Sequence, residues 1–193
     1  MIGNLFLLPV SALASYLIGA IPFSYLIPKV FLDTDVRQHG SGNPGASNVS
    51  RVCGKSYGVA ALIMDVGKGI VAAFLMHQLG LPLGLGFLAV LGHVVNPFLQ
   101  FSGGKGVATS LGVISYVSPF AGLIFVLIWI TVLLIWDIAG LSSLVAISST
   151  PVTFYFFGVK TPLLWISLAL VCLIYLTHRS NITRLIRGEE RTI

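Results

Sequence analysis

An all-α, polytopic membrane helix bundle is the fold class that this sequence predicts, and three observations predict it. Charged residues make up 9% of the chain and hydrophobic residues 56%, whereas a soluble domain averages about 25% charged. The mean hydropathy is +0.97. The apolar residues fall in continuous runs that approach the length of a helical span, about 20 residues, and not in the alternating segments of about ten residues that a membrane barrel requires. So few charges cannot cover a globule in water. No stretch reads as a soluble domain, so residues 1–193 are expected to form a single integral membrane domain.

Residues 4–30 are the first apolar run, whose first cation is Lys29. With no basic segment before it and no A-x-A-like site after it, the run reads as a span and not as a cleaved signal. Residues 31–57 form a polar loop that holds the glycine-rich stretch Gly40–Lys55. Residues 58–80 form a second span, which carries Asp65 and Lys68, and residues 83–100 a third, with Gly92, His93, Asn96 and Pro97. Ser102-Gly103-Gly104-Lys105-Gly106 makes a second glycine-rich turn. Residues 107–118 are a short fourth helix, stopped at Ser118-Pro119, and residues 119–137 a strongly apolar fifth. Ser142 or Ser143 suits the N-cap of a sixth helix that runs to about residue 157. Gly158 to Pro162 turn the chain into a seventh helix, 163–177, and a polar, basic tail follows. The range is five to seven spans, and seven is the expected number.

With seven spans, Lys29, Arg37, Arg51, Lys55, Lys105, Arg179, Arg184, Arg187 and Arg191 all fall on one side, Lys160 falls on the other, and Lys68 lies within a span. The positive-inside rule puts the large set on the cytoplasmic face, the C-terminus with it, and the N-terminus outside. Cations placed beside spans report topology, so the net charge of +5 does not point to nucleic acid. Cys53 falls in a loop and Cys172 in a span, and the four histidines are scattered; neither a disulfide nor a metal site is expected.

Three polar elements on the cytoplasmic side carry the chemistry. GSGNPGASNVSRVCGK combines glycines, which let a backbone approach a ligand, with Arg51, whose guanidinium suits phosphate or carboxylate. FSGGKGVATSLG opens directly onto a helix, so free N–H groups and the positive end of a helix dipole meet Lys105. A flexible turn with a topogenic lysine is the structural alternative. HRSNITRLIRGEE puts His178 and Asn181 three residues apart on one helix face; its outer arginines, Arg187 and Arg191, equally suit contact with anionic lipid. Asp65 and Lys68, at i and i+3 inside a span, are either a self-paired structural ion pair or part of a functional site. Gly40-Ser-Gly42-Asn-Pro-Gly45 matches G-x-G-x-x-G but lacks a βαβ unit, and Gly54-Lys-Ser56-Tyr-Gly58 lacks the strand-to-helix turn of a nucleophile elbow. No His is followed five residues later by Asp.

Together the three elements GSGNPGASNVSRVCGK, GHVVNPFLQFSGGKGVATSLG and HRSNITRLIRGEE closely resemble the three motifs of the bacterial acyl-phosphate-dependent glycerol-3-phosphate acyltransferase family. The resemblance covers nearly the whole chain. It implies transfer of a fatty acyl group from acyl phosphate to the sn-1 hydroxyl of glycerol 3-phosphate, giving 1-acylglycerol 3-phosphate and inorganic phosphate, the first step of bacterial phospholipid synthesis. It implies no cofactor and no metal, a place in the bacterial cytoplasmic membrane with the site facing the cytoplasm, membrane lipid as surroundings, and an upstream enzyme that forms the acyl phosphate. It assigns Ser41, Gly42, Asn43 and Arg51 to phosphate contacts, Gly103, Gly104 and Gly106 to backbone donors around Lys105, His178 and Asn181 to polar positioning, and Glu189 to anchoring the tail. Of these, Ser41, Arg51, His178 and Asn181 form the expected catalytic set. Asp65 and Lys68 are expected near the site as structural residues. Ser142 is added to the substrate-binding set from its place at a cytoplasmic helix start.

Acyl phosphate is already activated, so the expected step is direct attack without an acyl-enzyme, the proton passing to the donor's phosphate or to His178. The alternative function is a channel or transporter for a small phosphate ester, suggested by Asn43-Pro44 and Asn96-Pro97. An aquaporin-like pore, however, needs such pairs to enter from opposite faces, and both fall on one predicted side.

Overall fold

The computed structural model describes residues 2–192, with side chains from Leu7 onward. It is all helical, with no strand among the described residues. Among the described residues eleven α-helices follow one another: α1 (Ile2–Ala20), α2 (Phe23–Leu32), α3 (Ala46–Cys53), α4 (Lys55–Gln78), α5 (Leu88–Val94), α6 (Val107–Val117), α7 (Pro119–Trp136), α8 (Ala139–Ser148), α9 (Thr150–Phe156), α10 (Thr161–Thr177) and α11 (Arg179–Ile186).

All seven apolar runs reappear as helical segments. Four are long and apolar enough to cross a membrane: Leu7–Leu32, Lys55–Gln78, Pro119–Trp136 and Ala139–Phe156. A fifth, Thr161–Thr177 with Arg179–Ile186, is bent by 63°. Leu83–Leu99 and Val107–Val117 are shorter. The breaks have local causes. Pro22, which has no N–H to donate, sits at the cap between α1 and α2. Ser118 caps α7 by accepting from Ala121 N, with Pro119 at the first helical position. Asp137, in the left-handed conformation, ends α7.

The short helices are held by close backbone approach. A Cβ on Gly69 of α4 would lie 2.3 Å from Thr109 O, and one on Gly112 of α6 would lie 2.1 Å from Val66 O. Gly19 of α1 and Gly92 of α5 meet the facing helix in the same way. Such small-residue contacts bring membrane helices together where apolar burial gives no drive, since lipid is as apolar as a leucine side chain. Phe125, Ile147, Phe154 and Ile174 fill the centre between α6, α7, α8, α9 and α10. Leu134, Phe156 and Leu176 stay exposed, the all-round apolar surface of helices that face lipid.

Two boundaries differ from the sequence expectation. The polar loop 31–57 is not irregular throughout: residues 46–53 form α3, because Val49 packs with Val36 and Ala61 in a small core of its own. The sixth helix begins at Ala139 with Ile138 at the cap, so Ser142 and Ser143 are its fourth and fifth residues and do not cap its N-terminus.

Candidate active site

Asn48 organises the first loop. Its side chain is buried; Oδ1 accepts from Ser41 N (2.8 Å), and Nδ2 donates to Val36 O (2.8 Å) and His39 O (3.1 Å). One amide thus pairs Ser41 N and adds a second donor to two carbonyls that the turn already uses, Val36 O, which also accepts from His39 N, and His39 O, which also accepts from Gly42 N. The loop then presents Ser41, Asn43 and the first residues of α3, Ala46 and Ser47, to a cavity of about 260 Å³. Arg51, one turn further along α3, lines the same cavity, and its Nε donates to Thr192 O (2.8 Å). Burial lowers the Arg51 pKa; Glu190 opposes the shift, and Arg191 and Arg184 add to it.

The second loop approaches from the opposite wall. Gly106, at φ +88°, turns the chain so that α6 starts at Val107, and Gly106, Val107 and Ala108 line the cavity. Lys105 Nζ donates to Asn181 Oδ1, and Lys105 O accepts from Thr177 Oγ1 (3.0 Å), which ties the loop to α10. Burial lowers the Lys105 pKa to about 8; Glu190 pulls it up and Arg184 and Arg51 push it down.

Gly103 and Gly104 do not serve as the expected donors. Gly103 N already donates to Val94 O (3.0 Å) and Gly104 N to His93 O (3.2 Å), and neither residue lines the cavity. They are small because α5 lies against them: a Cβ on Gly103 would stand 1.9 Å from His93 O, and one on Gly104 would stand 2.2 Å from His93 Nε2. Gly42 is likewise a turn residue at φ +72°, its N–H held by His39 O (3.0 Å), and it faces a separate crevice.

The tail closes the site. His178 is buried at the bend between α10 and α11, and its Nδ1–H donates to Ile174 O (2.8 Å), because a carbonyl can only accept. Neutral His178 therefore presents Nε2 as an acceptor. Asn181 Nδ2 donates to Glu190 Oε1 (2.7 Å), and Arg184 Nε to Glu190 Oε2 (2.9 Å). Glu190 is thus the carboxylate that anchors the tail. The expected anchor, Glu189, is exposed, with only its N–H tied back to Arg184 O (2.8 Å). The left-handed turn at Gly188 directs the next residue outward and the one after it inward. Ser142 is also displaced from its expected role. Its Oγ donates to Ile138 O (2.9 Å) away from the cavity, and the residue that lines it is Ser143, whose Oγ accepts from Trp129 Nε1 (3.1 Å).

Asp65 and Lys68 form an ion pair of 2.8 Å, both nearly fully buried. Asp65 lines the cavity while Lys68 stands behind it. The apolar part of the wall comes from Leu62, Leu111, Phe125, Val126, Trp129 and Ile130 of α4, α6 and α7. Nothing in the sequence marked these six, since apolar residues in apolar helices look alike. Asn48, the second of two amides amid small residues, did carry a signal.

Comparison with known proteins follows from this geometry. A model of the family described as glycerol-3-phosphate acyltransferase matches residues 9–188. The glycerol-3-phosphate acyltransferase of Desulforudis audaxviator is 42% identical over 179 residues, 91% of this chain and 90% of that protein. That of Neisseria gonorrhoeae is 40% identical over 187 residues, 93% of this chain and 94% of that protein. Among solved structures, PlsY (YgiH), an integral membrane glycerol 3-phosphate acyltransferase, is similar in its glycerol 3-phosphate form, with a TM-score of 0.90 and 36% identity over 95% of this chain and 94% of that one. Its lysophosphatidic acid form gives 0.87 and 35%.

Proposed function

The chain belongs to the glycerol-3-phosphate acyltransferase family, and from that premise we propose that its donor is an acyl phosphate and that the acyl group passes directly to the sn-1 hydroxyl of glycerol 3-phosphate. The chain is an integral membrane acyltransferase. One observation carries the donor reading. The N-termini of α3 and α6, each with its own cation, Arg51 and Lys105, open onto one cavity that continues into an apolar wall. Each N-terminus offers free N–H groups and positive dipole charge to an anion. Two phosphates and one acyl chain match that lining.

In this reading Lys105 and the start of α6 hold the phosphate of glycerol 3-phosphate, with Asn181 positioning the ammonium. Ser41, Asn43, Arg51 and the start of α3 hold the acyl phosphate. His178 Nε2 accepts a hydrogen bond from the sn-1 hydroxyl and aims its oxygen at the acyl carbon. The new ester C–O bond forms, the acyl carbon–phosphate oxygen bond breaks with its electron pair on phosphate, and the hydroxyl proton ends on that phosphate. The products are 1-acylglycerol 3-phosphate and inorganic phosphate, and no group on the enzyme is acylated. The whole chain acts as one domain with seven crossings in the bacterial cytoplasmic membrane, N-terminus outside, with its site facing the cytoplasm and membrane lipid around it. Acyl phosphate comes from a separate enzyme that makes it.

The test uses purified protein in lipid with radiolabelled glycerol 3-phosphate. Lysophosphatidic acid is expected with acyl phosphate and not with acyl-CoA. Product from acyl-CoA alone overturns the donor reading.

A further inference from the structure

The cavity is faced by two histidines, and their partners assign them opposite tautomers. His178 keeps its proton on Nδ1, donated to Ile174 O, and turns an acceptor to the cavity. His93 is the reverse. Lys68 Nζ has three neighbours: Asp65 Oδ1 at 2.8 Å, Ile21 O at 2.9 Å and His93 Nδ1 at 2.8 Å. A carboxylate and a carbonyl only accept, and an ammonium has three N–H donors. Asp65 Oδ1 is held by charge without a hydrogen bond, and because an ammonium has no lone pair to offer, the contact with His93 Nδ1 is a donation from Lys68, to which Nδ1 must offer its own lone pair. The ring is neutral and its proton is on Nε2.

We propose that His93 Nε2–H is a further catalytic hydrogen-bond donor, directed at the carbonyl oxygen of the acyl phosphate where negative charge develops during transfer. The proposal rests on the donor reading above. His93 is buried, with 5% of its surface exposed, yet it lines the cavity. With Nδ1 turned to Lys68, the edge bearing Nε2 lies at Gly104, between the loops that carry Asn43 and Lys105, and among the described residues Nε2 has no hydrogen-bond partner. Nε2 is not among the fully enclosed side-chain atoms that lack a partner, which are Asp65 Oδ1, Thr109 Oγ1 and Thr150 Oγ1, so its N–H stays open to a ligand in the cavity that His93 lines.

Charge indicates which ligand atom that is. The phosphates already have Arg51, Lys105 and two helix N-termini. A neutral donor adds little to a dianion held by cations, but suits an oxygen that is uncharged in the ground state and anionic only at the tetrahedral stage. His93 keeps its proton throughout; the carbonyl π pair moves onto oxygen as the hydroxyl adds and returns as phosphate departs. Asp65, Lys68 and Ser24 act through it as positioning residues. Ser24 Oγ donates to Asp65 Oδ2 (2.6 Å), so the carboxylate is held from α2 while Lys68 fixes the ring.

Two measurements test this. In steady-state assays, His93→Ala is expected to lower kcat about a hundredfold while the KM values for both substrates change less than threefold. Lys68→Met is expected to lower kcat in the same direction by a smaller factor. In the wild type, nitrogen-15 NMR of histidine-labelled protein in nanodiscs is expected to report a protonated Nε2 for His93 and a protonated Nδ1 for His178. His93 protonated on Nδ1, or on both nitrogens, overturns the proposal even if every His93 variant misfolds. A folded His93→Ala enzyme with kcat within threefold of wild type, or with a loss confined to KM, overturns it as well. Wild-type protein that does not turn over acyl phosphate refutes the donor reading instead, so the two failures are distinguishable.

Discussion

Lys105 and Asn181 lie 76 residues apart in the chain, and their side chains are hydrogen-bonded, Nζ donating to Oδ1. The bond joins the second loop to the tail. It also fixes where the ammonium stands before any anion arrives, since Asn181 is held in turn by Glu190. A flexible lysine is thus pre-positioned, which reduces the entropy lost on binding.

Removing that ammonium is expected to cost about 3 kcal/mol of transition-state stabilisation, the upper range for a bond to a charged group. Lys105→Ala should therefore lower kcat/KM for glycerol 3-phosphate by roughly a hundredfold with little change in melting temperature. A fall of less than threefold would exclude Lys105 from the phosphate site.

The pH dependence follows from burial. Lys105 titrates at about 8 in the free site, because burial disfavours the ammonium. Its charge is present below that pH and is lost as pH rises through it. If only the charged form binds phosphate, the KM for glycerol 3-phosphate should rise about tenfold between pH 7 and pH 9. Lys105→Arg should flatten the profile, because guanidinium does not titrate there. A flat wild-type KM would show that Lys105 does not carry binding.

The two adjacent glutamates should behave differently. The Glu190 side chain is 3% exposed and bonded to Asn181 and Arg184. Glu190→Ala leaves those partners unsatisfied, and a loss of about 1–3 kcal/mol is expected, read as a lower melting temperature. Glu189→Ala, which removes an exposed side chain, should stay within about 0.5 kcal/mol of wild type. Equal effects would contradict the placement of the tail.

Glycine substitutions separate packing from flexibility. A Cβ on Gly104 would meet the His93 ring at 2.2 Å, so Gly104→Ala should lower activity more than tenfold by displacing the loop. Gly67, inside α4, has nothing within 4 Å of an added Cβ. Gly67→Ala should keep full activity and gain about 0.4–1 kcal/mol. Equal activity of the two variants would show that Gly104 does not set the loop's position.

Direct transfer predicts a kinetic pattern. Double-reciprocal plots for the two substrates should intersect, and acyl phosphate labelled in its chain should leave no label on wild-type protein, neither at Cys53 nor at Ser41. Parallel plots, or a trapped acyl-enzyme, would refute it.

Much of this was determined by sequence alone. In a chain with 9% charged residues, Arg51, Lys105, His178 and Asn181 stand out because a polar group near lipid is costly without a purpose. The seven apolar runs and the glycine loops between them follow from the same scarcity. What only the tertiary structure decided are directions and partners. One step along a helix turns a side chain by about 100°, so Ser143 lines the cavity and Ser142 does not. One step past Gly188 exchanges Glu189 for Glu190. Whether a glycine N–H is free depends on what lies opposite, and for Gly103 and Gly104 that is the C-terminal end of α5. The apolar wall and the His93–Lys68–Asp65 chain have the same cause. They are contacts between residues far apart in sequence, and a sequence lists residues without their neighbours.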